Sequence, residues 1–87
     1  MSGAKAIYAR NKHLYFELFD TFEEARRFLS NGENSSDLWA IAILMGESLF
    51  VPSRVSVDKR LLVDQALKSI TELGYTTDRP VGEFYLS

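Results

Sequence analysis

The 87-residue chain has no cysteine, one histidine, one tryptophan, two prolines and five scattered glycines. Without thiols there is neither a disulfide nor a thiolate metal centre, so an apolar core alone must hold the fold; this suits an intracellular protein better than a secreted one. A single imidazole, His13, removes any metal site or proton relay built from two histidines. The glycines do not cluster behind a strand, and neither the dinucleotide nor the P-loop fingerprint occurs. No serine sits in a Gly-x-Ser-x-Gly elbow. No apolar run reaches the roughly 18 to 20 residues of a membrane span, and no leader-like segment opens the sequence, so a cytoplasmic protein without membrane contact is expected. Ten basic residues against twelve acidic ones give a formal net charge of −2, which encodes no general attraction for polyanions. No cofactor and no metal are expected.

What is present is alternation. After residues 1–4, expected to fray, Lys5 to Arg10 alternates as a strand, Asn11-Lys12 turns, and His13 to Phe19 returns with Leu14, Phe16 and Leu18 on one face, the expected core face. Asp20 is followed three residues on by Glu23, and Thr21 by Glu24, two overlapping capping boxes that start a helix. Phe22, Ala25, Phe28 and Leu29 form its apolar stripe. Asn31-Gly32 is expected to end this helix, leaving Glu33 to Asp37 as a polar loop.

The same order then repeats. Leu38 to Met45 is apolar on both sides, with Trp39, Ile41, Ile43 and Met45 sharing one of them, as a central strand requires. Gly46-Glu47 turns into Ser48 to Val51, stopped by Pro52. Asp58 is expected to cap a second helix, with Val57 and Leu62 at staple spacing. Leu62, Ala66, Ile70 and Leu73, flanked by Val63 and Leu67, form its stripe, and Gly74 closes it. Thr76 to Gly82 reads as a loop containing Pro80, and residues 83–87 as either a short edge strand or a flexible tail.

This pattern predicts one small α+β domain over 1–87, a two-layer ββαββα(β) fold with a largely antiparallel four- or five-stranded sheet and two helices on one face. With helices over Leu14, Phe16 and Leu18, the opposite face carries Tyr8, Tyr15 and Phe19, either left open as an interface or covered by loops or by Phe84-Tyr85-Leu86 folding back. Tyrosines on an open sheet face favour a protein interface, because they bury large area with little rotamer entropy lost. The expected partner-binding residues are Tyr8, Arg10, Lys12, His13, Tyr15 and Glu17. No catalytic residue is assigned: Glu23-Glu24 serves capping and no other carboxylate pair stands out.

Asp20-Thr21-Phe22-Glu23-Glu24-Ala25-Arg26-Arg27-Phe28-Leu29, directly after a strand, resembles the strand-to-helix junction of many small bacteriophage and mobile-element proteins. The resemblance implies an accessory protein that binds a host or phage protein, anti-CRISPR-like inhibitors among them, and carries over no functional residue. The leading expectation is therefore a non-enzymatic protein-binding module. Its alternatives are a nucleic-acid module, using Lys5, Arg10, Lys12, His13, Arg26 and Arg27 beside Tyr8 and Tyr15, and a homodimer formed through the open face or an edge strand. A small-molecule cleft between helices and sheet is a further alternative.

Overall fold

In the computed structural model, which describes residues 3–35, 37–74 and 82–86, the chain runs β1 (Ala4–Arg10), β2 (His13–Phe19), α1 (Phe22–Asn34), β3 (Trp39–Met45), β4 (Ser48–Pro52), α2 (Val57–Glu72) and β5 (Gly82–Phe84). Class and order are those the alternation implies. The five strands form one sheet in the order β2-β1-β3-β4-β5, antiparallel except for the parallel β4–β5 pair. Met1 and Ser2, of the terminus expected to fray, lie outside the described residues, but Ala4 is fully buried within β1. The loop expected from Thr76 also lies outside them as far as residue 81. Gly82 opens β5, against Phe50 of β4.

The placement of the helices differs from expectation. Ala25 and Leu29 of α1 pack with Ala4, Ala6, Tyr8, Ala40 and Ile43. Val63 and Ile70 of α2 pack with Ile7, Ile41, Leu49 and Val51. Neighbouring strand residues such as Ile7 and Tyr8 point to opposite sides, so the helices cover opposite faces and the sheet is the middle of three layers.

Connectivity explains this. Strands β2 and β3 both run antiparallel to β1, hence parallel to each other, and α1 links them across it. The α2 crossover joins β4 to β5 in the same lateral direction, but along strands running the opposite way. Two crossovers of the same right hand then put their helices on opposite faces.

Strict alternation also fails once, inside β3. Ile7 pairs with Ala42 while Tyr8 pairs with Ala40, leaving Ile41 as the extra residue of a β-bulge. Ile41 and Ala42 therefore both join the α2-side core, and Ile43 joins Ala40 on the α1 side, not Trp39 and Ile41 as the period-two pattern implies.

The local signals act as read, with three corrections. Asn11 and Lys12 both have left-handed φ, 51° and 68°, as a two-residue type I′ turn needs. Of the two capping boxes Thr21 is used, its Oγ1 accepting from the Glu24 amide at 3.2 Å. Helix α1, however, continues through Gly32 to Asn34. A Cβ at residue 32 would lie 2.4 Å from the Leu38 side chain, so this glycine serves close approach instead of termination. Ser56, not Asp58, caps α2 by accepting from the Lys59 amide at 3.2 Å. The expected staple is absent too, as Val57 and Leu62 are both exposed. Gly74 follows the end of α2 with φ of 84°, in keeping with its expected role.

Candidate functional site

Of the two expectations for the face bearing Tyr8, open or covered, the structure has it covered, and by helix α1. Tyr8 is 3% exposed, its ring stacked on Tyr15 with centroids 5.5 Å apart and met edge-on by Phe28 of α1 at 5.3 Å. Its hydroxyl donates to Glu17 Oε1 at 3.5 Å. Burial pushes the phenol pKa up, and the Glu17 carboxylate pushes the same way. A partner cannot reach Tyr8 without displacing α1. Only Tyr15 and Glu17, at the margin of this aromatic cluster, remain exposed.

The basic residues do not gather. Lys5 stands opposite Leu18, whereas Arg10 stands opposite His13 five residues further along β1, a separation of about 17 Å at strand rise. Arg10 donates to the Asp37 carboxylate at 2.6 Å and to its carbonyl at 3.3 Å. Arg26 and Arg27 share Glu23, at 2.5 Å and 3.6 Å, and the Arg26 bond holds the Glu23 carboxyl below the usual carboxylate range.

Lys12 and His13 instead stand at the mouth of a groove on the α2 side. This groove, of about 290 Å³, runs between the β1–β2 turn and α2. Its walls are Leu14 of β2, Trp39 of β3, and Leu62 and Ala66 of α2, with Gln65 and Ser69 as the polar groups on the helix. The expected site residues are thus dispersed, with Tyr8, Tyr15 and Glu17 on the α1 side of the sheet and Lys12 and His13 at the β1–β2 turn, where the groove ends. The residues named here include one cation, Lys12, and no carboxylate.

Trp39 is the group that sequence reasoning missed. It is 50% exposed, although its strand reads as central. Its position is fixed by the bond next to it: Glu33, at the end of α1, accepts from the Ala40 amide at 2.7 Å and pairs with Lys59 of α2. Trp39, Glu33 and Lys59 also border a second depression of about 200 Å³, so the indole stands between two hollows. The usable signal lay in α2. Leu61, Leu62, Val63, Ala66, Leu67, Ile70 and Leu73 make a stripe wider than one sheet contact can cover, and Leu61, Leu62 and Leu73 are exposed.

Compared with protein-family models, curated proteins and solved structures, the chain matches none. Among the described residues no group of three or more His, Asp or Glu side chains is arranged to hold a metal ion, and no helix is long and apolar enough to cross a membrane.

Proposed function

We propose that this chain acts by binding another protein, without catalysis of its own, and that the partner docks in the groove between α2 and the β1–β2 turn. The half-exposed indole of Trp39 carries the reading. An aromatic anchor beside Leu62 and Leu14, rimmed by Lys12, His13, Gln65 and Ser69, has the apolar centre and polar border of a binding hot spot. At about 290 Å³ the groove lies just under the roughly 300 to 1,000 Å³ of small-molecule sites, and it suits one or two apolar side chains of a protein. The Lys12 cation at the mouth favours acidic residues around them. If the junction resemblance extends to function, that protein belongs to a host cell or a phage.

Trp39 is the sole tryptophan, so this chain's indole emission reports on the groove and the hollow beside it. Titration with the purified partner, recovered from the cell of origin on the tagged chain, should shift that emission to the blue. Trp39→Ala and Leu62→Ser should each weaken binding by about thirtyfold or more, with little change in melting temperature. Affinity unchanged in both variants would refute the site.

A further inference from the structure

The two edges of the sheet are unlike. The β5 edge is three residues long and tied down: the Phe84 carbonyl accepts from the Ser53 amide at 2.9 Å and its hydroxyl at 3.2 Å, and Glu83 pairs with Arg60 at 3.2 Å. The β2 edge runs seven residues, His13–Phe19, and among the described residues a strand lies on one flank only. Of the devices that discourage edge pairing it carries a single carboxylate, Glu17, and it has no proline, no lysine and no bulge against β1. Leu18, near its end, is 74% exposed.

The hairpin fixes which backbone groups this edge offers. In a two-residue type I′ hairpin the closing pair, here Arg10 and His13, exchanges both its hydrogen bonds, and every second pair after it does the same. His13, Tyr15, Glu17 and Phe19 therefore direct their amides and carbonyls at β1. Leu14 and Leu18 direct theirs away, to whatever strand comes next.

We propose that the next strand is β2 of a second copy of this chain, paired antiparallel about a two-fold axis at Phe16, so that two five-stranded sheets become one. With this axis Leu14 stands opposite Leu18 of the partner subunit and Leu18 opposite Leu14 of the partner subunit, each pair facing with outward-directed backbone groups. Tyr15 stands opposite Glu17 of the partner subunit, a phenol donor against a carboxylate. The leucine pairs lie on the α2 side of the sheet and the Tyr-Glu pairs on the α1 side, so each face matches itself, as an isologous joint demands. Neighbouring axes do worse. An axis at Glu17 sets two Glu17 carboxylates against each other, and one at Tyr15 shortens the ladder and leaves Leu18 unpaired. The joint meets the Trp39 groove at Leu14, which belongs to both, whereas Glu17 and Leu18 lie outside the groove, so Leu18 variants test the joint separately.

Sedimentation equilibrium from about 1 μM to about 1 mM, the span of weak to moderate affinity, should show a mass rising from 9.9 kDa towards twice that value. Leu18→Lys brings a cation into the joint. Leu18→Pro removes an outward donor without touching the β1 ladder, the one side of a sheet on which proline is tolerated. Each should raise the dimer dissociation constant at least about tenfold with far-ultraviolet circular dichroism unchanged, and Leu18→Lys suffices if the proline variant does not fold. Val57→Gln, at an apolar α2 residue that is 78% exposed, should leave the constant as it was.

Because the chain has no cysteine, register can be read by cross-linking. Non-hydrogen-bonded antiparallel pairs lie within disulfide reach, so Tyr15→Cys chains mixed with Glu17→Cys chains should oxidise to the mixed dimer in preference to either homodimer. A monomer across the whole range, a dimer indifferent to Leu18→Lys, or preferential Tyr15→Cys homodimers would overturn the proposal.

Discussion

The ring of Phe28 meets that of Tyr8 edge-on, with centroids 5.3 Å apart. This contact joins α1 to the face opposite the one that α2 covers, and it makes Tyr8 a core residue. Phe28→Ala should cost about 3 kcal/mol, the low end for a phenylalanine truncation because the ring is only partly buried. Ile70→Ala, on the other face, should cost about 2 to 5 kcal/mol. With the sheet between them the two losses should add to within about 0.5 kcal/mol in the double variant. Strong coupling in urea unfolding would mean that the helices share a face.

Gly32 permits the Leu38 side chain to lie against the helix backbone. Alanine gains roughly 1 kcal/mol of helix propensity over glycine. At residue 32, however, its Cβ would stand 2.4 Å from Leu38 Cδ2 and 2.5 Å from Cγ, and Leu38 is buried. Overpacking should dominate, so that Gly32→Ala destabilises by about 1 to 2 kcal/mol net. In the Leu38→Ala background the same change should become neutral or stabilising. Thermal melts of the four proteins in that cycle test this.

Glu33 accepts from the Ala40 amide and pairs with Lys59, tying α1, β3 and α2 together beside the bulge. Glu33→Ala leaves that amide without its acceptor and should cost about 1 to 3 kcal/mol. Glu33→Gln keeps an acceptor oxygen and should cost distinctly less. Hydrogen exchange at Ala40 should quicken in the alanine variant and much less in the glutamine one.

Stability should fall at alkaline pH through Tyr8. Its folded pKa is raised, first by burial and then by Glu17. Above the unfolded pKa of about 10, the unfolded chain loses this proton while the folded chain keeps it, so folding weakens as pH climbs towards the folded value. Below the unfolded value both states hold the proton, and the stability is fully present and independent of pH. Tyr8→Phe should flatten the decline measured by denaturant midpoints as pH rises above about 10, the unfolded value. An unchanged slope would contradict the assignment.

Local chemistry was legible where neighbours in sequence decide it. Period-two runs marked β1, β2 and β4, and period-3.6 stripes marked both helices. Thr21 and Gly74 act through their own turns, as read. Ser56 was passed over because Asp58 offers the same capping chemistry two residues later, and only the backbone path chooses between them. The candidate site was less legible. Lys12 and His13 belong to its mouth, but Trp39 and Leu62 read as core.

The sequence by itself determined the elements, their order and their class, because propensity, capping and alternation act within a few residues. The tertiary structure decided which side each helix takes. A strand with apolar residues on both faces accepts a helix on either; the choice follows from strand order and crossover hand, properties of pairing between distant segments. The bulge at Ile41 had the same origin: one extra β3 residue opposite the Ile7–Tyr8 step of β1 changes which β3 side chains share a face, and no period within β3 records it.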